Sequence, residues 1–317
     1  MKGIWIITAI VLLTVGALLF CNAMTTIKWD FRQLSTASFT TNSYSIDQDF
    51  SNISLDVGTA SVVLLPAADG KTSVVVYEDK NDPHTVTVEN NLLVIKRNRE
   101  INWNNRIGIQ FQSPKITLTL PQNEYGTLVA KLSTGDIDIH ENFRFESMDI
   151  TASTGSVVCR ASASGDVNVK LSTGSILLEN ISAAAFDLSV TTGTIKMTGI
   201  ACESELFVGV STGKAYLTDV TCRTLTSTGD TGDLSLRSVI ASKKFLIERT
   251  TGDVTLDRCD AAEIFIATDT GDVTGTLLSD KIFFTQTSTG KIDVPKSTSG
   301  GSCEIVTSTG DITITLS

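Results

Sequence analysis

Histidine is nearly missing from this 317-residue chain: only His84 and His140 occur, which leaves little material for acid–base work or an imidazole-rich metal centre. Proline is scarce too, with 5 residues, while 23 glycines and abundant serine and threonine favour turns and strands over long helices. Charged residues make up only 19%, and their balance of −10 repels a phosphate backbone, which excludes nucleic acid as a partner. No catalytic triad, Walker loop or zinc-ligand spacing is present, so no catalytic residue, resident metal or cofactor is assigned.

Charge is absent altogether between Lys2 and Lys28. The run from Gly3 to Phe20 is almost wholly apolar, close to the roughly 20 residues that a membrane-spanning helix requires. Residues 1–23 read as a transmembrane anchor or a signal peptide, with Cys21-Asn22-Ala23 a poor cleavage site and Phe20 a bad fit to a lipoprotein signal. The length of the run favours the anchor. Residues 24–50 are polar and rich in threonine and serine, and read as a stalk. A short N-terminus before a large polar domain puts that domain on the extracytoplasmic side of a cell membrane.

What the sequence does have is a rhythm. Ten Thr-Gly pairs recur: Thr134-Gly135, Thr154-Gly155, Thr173-Gly174, Thr192-Gly193, Thr212-Gly213, Thr231-Gly232, Thr251-Gly252, Thr270-Gly271, Thr289-Gly290 and Thr309-Gly310. The steps between the glycines are 20, 19, 19, 20, 19, 20, 19, 19 and 20. In TSTGDTGDLSL, from Thr226 to Leu236, Gly232 keeps this rhythm and Gly229 breaks it, so the first Thr-Gly-Asp is coincidence or a local irregularity. With the glycine as position zero, +2 and −7 are apolar in every copy, from Ile137 and Leu128 to Ile312 and Cys303.

Apolar residues two apart describe a half-buried strand. Positions −7, −5, −3 and −1 share one parity and +2 and +4 the other, so the inward face must be reset at the glycine, which reads as a corner. On this reading the threonine points inward at the bend, its hydroxyl on a backbone group. The one-residue variation in step falls at the opposite corner, between +5 and the next −7. A 19–20-residue coil cannot bury its apolar face alone but can do so stacked on its neighbours.

The expected fold is therefore all-β: a single-chain β-solenoid (parallel β-helix) of about ten coils over residues 126–317, preceded by an N-terminal antiparallel β cap and one N-terminal transmembrane helix. The cap occupies residues 51–125. Within it Ser54 to Leu65 forms a degenerate first coil, strands run over Ser73–Tyr77, His84–Glu89, Leu92–Arg97 and Lys115–Leu120, and Asn90-Asn91 signals a hairpin. The C-terminal coil ends on a strand with no cap, which suggests end-to-end self-association through it, testable by a charge at Ile314.

The apolar start, the opening ISLDVGTASVVLL and the serial STGDI and STGSI repeats resemble the DUF4097 adhesin-type family of bacterial β-strand repeat proteins, including LiaG-like envelope proteins. The resemblance covers about residues 50–317. It implies a cell-envelope location and an adhesive or sensory role, with no catalytic residues to carry over.

Position +1 carries Asp136, Asp233, Asp253, Asp272 and Asp311, and Asp233, Asp253 and Asp272 fall on consecutive coils. They are either weak Ca²⁺ ligands or a solvated row of corner aspartates; the Ca²⁺ repeat GGxGxDxUx is absent, which favours the row. Cys202 and Cys222 share position +9 on adjacent coils, within disulfide reach, although parallel stacking aims both side chains the same way. Trp103, Arg106 and Phe111, in REINWNNRIGIQF, are candidate binding-surface anchors or packing residues of the cap. Lys196, Lys214 and Tyr216 lie near Asp219 and Asp233, the one grouping that suits the alternative of a solenoid enzyme acting on cell-wall or plant polysaccharides. The reading preferred is a non-catalytic envelope protein that offers a rigid surface to an unidentified protein or glycan and meets the membrane through its N-terminal helix.

Overall fold

A computed structural model describes residues 2–26, 28–30, 38–98 and 112–317. A helix spans Lys2–Thr26, and its apolar stretch from Trp5 to Thr26 is long enough to cross a membrane. Everything else described is β structure joined by turns.

The cap strands are β1 (Phe39–Ile46), β2 (Asn52–Gly58), β3 (Ser61–Pro66), β4 (Thr72–Asp79), β5 (His84–Glu89), β6 (Leu92–Arg97) and β7 (Lys115–Leu120). β2 and β3 form the expected first coil. They pair in parallel with Glu124–Thr134 and Ile137–Ile139, the two sides of the Gly135 coil. On their other side they pair with β6 and β7, which make one further coil out of chain order. β4 then covers β7 antiparallel, β1 covers β4, and β5 covers β6. Asn90 and Asn91, with φ of 50° and 64°, make the hairpin turn between β5 and β6.

β1 corrects the reading of residues 24–50 as a stalk, since the helix runs to Thr26 and Phe39–Ile46 belongs to the cap. Its alternation escapes notice because Asn42 stands among its inward residues, where it donates to the buried carboxylate of Glu78 at 2.6 Å.

Ten coils follow. Ile176, Ile195, Ala215 and Leu234 stand in register on successive coils, each essentially inaccessible to solvent. The register slips by one residue between Cys222 and Thr224 and again between Ala241 and Lys244, on the side of the coil far from the glycine. The glycines themselves form a column. Each corner glycine has a positive φ, and the space of its missing Cβ is taken by the carbonyl oxygen of a neighbouring coil's glycine, or of Ala60 at Gly135; at Gly193 an added Cβ would lie 1.8 Å from the oxygen of Gly174.

The corner threonines do not point inward as the parity argument expects: all ten are exposed. The ladder skips position −2 in each coil, as between Leu171↔Val190 and Thr173↔Thr192. The face is thus reset one residue early, turning both −2 and −1 to solvent. The hydroxyl contact expected of them is made by threonines at −3, where Thr287 donates to the carbonyl of Gly310 at 3.0 Å.

The last two coils are inverted. Gly301–Thr309 pairs on one side with Val254–Thr270 and on the other with Lys281–Thr289, so the Gly310 coil is inserted between the Gly271 and Gly290 coils. Gly290 agrees, its Cβ space being filled by the oxygen of Gly310. The coil that ends the rod is therefore residues 281–293, not the C-terminal one, and Ile314 is buried inside the stack. Two cap coils and ten repeats at a spacing of ~4.8 Å give a rod of roughly 50 Å.

Candidate functional site

The aspartates at +1 stack as expected, and the coil inversion adds Asp311 to their row. Each carboxylate accepts the main-chain N–H of the next corner: Asp233 from Asp253 at 3.3 Å, Asp253 from Asp272 at 2.9 Å, Asp272 from Asp311 at 2.8 Å and Asp311 from Lys291 at 2.7 Å. Asp136 does the same for Ser156 at 2.8 Å. One oxygen per coil is thereby committed to the backbone, which leaves far fewer than the six or more oxygens that Ca²⁺ takes. Among the described residues no group of three or more His, Cys, Asp or Glu side chains is placed to hold a metal ion. Asp253→Ala is expected to lower stability by about 1 kcal/mol, with Asp253→Asn retaining most of the bond. Millimolar Ca²⁺ should leave the thermal midpoint unmoved; a clear upward shift would restore the cation reading.

Lys214 Nζ lies 2.8 Å from Asp233, and their hydrogen bond holds that carboxyl below its ordinary value. A lowered carboxyl contributes stability above the ordinary value and loses it as pH falls towards the folded one. Lys214→Met should therefore flatten the acid limb of a pH-stability profile, and an unchanged limb would remove Asp233 from the account. Both side chains are largely exposed, so the effect is small. Of the grouping that suggested a polysaccharide-active enzyme, this pair joins two members; Lys196 stands in register with exposed Tyr216, and exposed Asp219 has a φ of 53° within the strand Glu205–Thr231.

Trp103, Arg106 and Phe111 lie outside the described residues. Cys202 and Cys222 are buried and free, without the disulfide their spacing permits, and burial pushes the Cys222 thiol up to about 12.

Two polar clusters went unseen in the sequence. In the cap, Glu78 is wholly buried and takes the Nδ1 of His84 at 2.8 Å and the main-chain N–H of His84 at 2.6 Å. The other ring nitrogen of His84 faces the carbonyl of Val57 at 3.1 Å. The cluster staples β1, β2, β4 and β5 together, a role for histidine that composition alone does not disclose. In the rod, Arg249 occupies the −3 column and is only 6% exposed. Its Nη2 donates to Ser227 Oγ at 2.6 Å, its Nε has no acceptor, and burial lowers the guanidinium to about 10. Gly229, its register partner, leaves the room: a Cβ there would lie 1.7 Å from Arg249 Nη1. The first Thr-Gly-Asp of TSTGDTGDLSL is thus no accident.

At the inverted end a cavity of about 570 Å³ opens between residues 240–241, 260–262, 279–281 and 299–301. At its wall the buried Lys281 Nζ lies 2.6 Å from Asp260, pinning the segment that steps past the inserted coil.

These features define a parallel β-solenoid closed at one end by antiparallel strands. The chain belongs to the Toastrack DUF4097 family, whose profile matches residues 50–315. It is similar in structure to a "putative lipid binding protein" from Parabacteroides distasonis ATCC 8503, at 18% identity and a TM-score of 0.51, over 76% of this chain and 98% of that one. It is likewise similar to a "putative adhesin" from Parabacteroides merdae ATCC 43184, at 15% identity and a TM-score of 0.52, over 76% of this chain and 97% of that one. At such identities these likenesses establish the fold. No curated protein matches the sequence.

Proposed function

We propose that this is a non-catalytic protein of the bacterial cell envelope, anchored in the membrane by its N-terminal helix, with the solenoid on the extracytoplasmic side as a rigid spacer that offers a contact surface to protein or glycan. The observation that carries the reading is the polarity of the rod. The chain enters β1, in the cap, from a helix of membrane-spanning length, and the coil left uncovered among the described residues lies at the far end of the stack. Such a rod holds its free end roughly 50 Å from its cap. The fold shared with a "putative adhesin" supports a contact role.

The test is surface labelling. Thr255→Cys, exposed on the flank of the rod, should react with a membrane-impermeant maleimide on intact cells. Labelling only after lysis would place the solenoid inside and end the proposal.

A further inference from the structure

Ten copies of one repeat make each departure from it visible. Position −2 is serine or threonine in eight copies and aspartate in two, Asp230 and Asp269, and Glu248 is the one acid at −4. These three lie on successive coils, because the Gly232, Gly252 and Gly271 coils stack in that order. The skipped ladder position turns −2 outward, as −4 is by alternation, and a groove runs between the two columns over the main chain of −3. Two cavities, of about 330 Å³ and 250 Å³, lie along it and share Thr228, Gly229 and Asp230. Together they cross six coils, from Ser189 to Ser308, roughly 24 Å at the coil spacing.

Asp230 and Asp269 stand on one wall and Glu248 on the other. All three are exposed, and among the described residues none has a hydrogen-bond or ion-pair partner. The +1 aspartates differ, since their carboxylates are tied to the backbone. At one end of the groove the Phe207 ring lies across Gly209, where an added Cβ would be 3.1 Å from its Cε1. The only cation lining the groove among the described residues is the buried Arg249, whose Nη1 takes the Cβ space of Gly229 in the floor. Arg249 Nε and the Oγ1 of Thr268, another buried lining residue, have no partner among the described residues.

This lining selects the occupant. A rim of carboxylates with no exposed cation repels phosphate, sulfate and acidic sugars. An extended peptide adds to an open strand edge, but the coils along the groove are paired on both sides. Nor does the groove offer an apolar trough for a helix or an aromatic cradle for proline. A carboxylate accepts from two or more donors at once, and neighbouring hydroxyls of a sugar supply them. A flat aromatic ring adds apolar area for the C–H face of the sugar.

We infer that the groove binds a linear, uncharged glycan lengthwise along the rod, its hydroxyls donating to Asp230, Glu248 and Asp269 and one sugar ring packed on Phe207. This rests on the contact reading above and commits it to glycan rather than protein. A shallow, open groove holds each chain weakly, and many rods on one surface hold a polymer together.

The experiment uses the full chain in phosphatidylcholine nanodiscs, titrated calorimetrically with hexasaccharides of glucose, N-acetylglucosamine and mannose, with a hyaluronan hexasaccharide and with hexalysine. At least one uncharged hexasaccharide should bind, and hyaluronan should not. Asp230→Ser with Asp269→Ser installs the residue that other coils carry, so the fold is kept, and binding should weaken about tenfold or more. Phe207→Asn, matching Asn168 in the same column, should weaken it likewise. Asp257→Thr removes an acid beyond the corner, where Thr198 and Thr218 stand in other coils, and should leave the affinity unchanged. Binding that survives both groove variants, or affinity for hexalysine with none for the glycans, overturns the inference. Failure of all three uncharged hexasaccharides overturns it too, and a chain that still passes the surface-labelling test then keeps its envelope role and loses only the glycan.

Discussion

Gly193→Ala is expected to destabilise the solenoid by roughly 4 kcal/mol, at the upper end of what single substitutions do. The residue has φ of 146°, and an added Cβ would lie 1.8 Å from the carbonyl oxygen of Gly174 and 2.9 Å from its carbon. A strained backbone conformation of this kind costs about 1–3 kcal/mol. The rest comes from the clash, which is with the main chain of Gly174, so no side-chain rotation relieves it. The stack must open at that corner, and the ladder bonds either side weaken with it. Gly70→Ala supplies the control: φ is positive there too, at 70°, but nothing lies within 4 Å of its Cβ, so only the conformational cost of about 1–2 kcal/mol remains. Urea unfolding of the two variants measures the difference, and equal losses would dismiss the glycine column as the constraint. Because each coil touches only its neighbours, amide exchange should quicken first around residues 174–213 and later elsewhere.

That column was legible in the sequence. Threonine-glycine at steps of 19 and 20 announced a corner and a stack, because any side chain at that point is excluded in every coil. Whether the threonine beside it turned in or out depended on where the ladder skips a residue, which alternation alone does not reveal. The cap was legible where strands alternate cleanly, as in β7, and hidden where a polar residue faces inward, as with Asn42 in β1. The inversion of the last coils left no mark on the spacing, since the Gly290 and Gly310 coils each keep the repeat; only pairing shows which of them is outermost. The row of aspartates was visible as a pattern, but its purpose lies in main-chain N–H groups, which every sequence possesses equally.

Gly229 and Arg249 make the second large effect, large for one change and small for two. Gly229→Val alone puts a branched side chain where the guanidinium lies, 1.7 Å from its Cβ, inside a packed core, and should cost about 3 kcal/mol or more. Arg249→Val alone removes a buried cation whose Nε has no acceptor, and Ser227 keeps its bond to the carbonyl of Val208 at 3.1 Å. The relief from desolvation is then offset by the void left beside Gly229, so the net change is within about 1 kcal/mol. The double variant continues the aliphatic column of Val190 and Val210 through both coils. With Arg249 gone the Cβ at 229 still lies 2.7 Å from the carbonyl oxygen of Val210, so by analogy with buried ion groups replaced by apolar ones of similar volume the double variant should reach the wild type or exceed it by up to about 1 kcal/mol. A double-mutant cycle in urea would show the coupling directly, expected at ~3 kcal/mol. Additive single effects would mean that the arginine does not fill the space Gly229 leaves. A double variant less stable than Arg249→Val would mean that the side chain added at 229 is still crowded once the arginine is gone, by the Val210 carbonyl oxygen 2.7 Å from its Cβ.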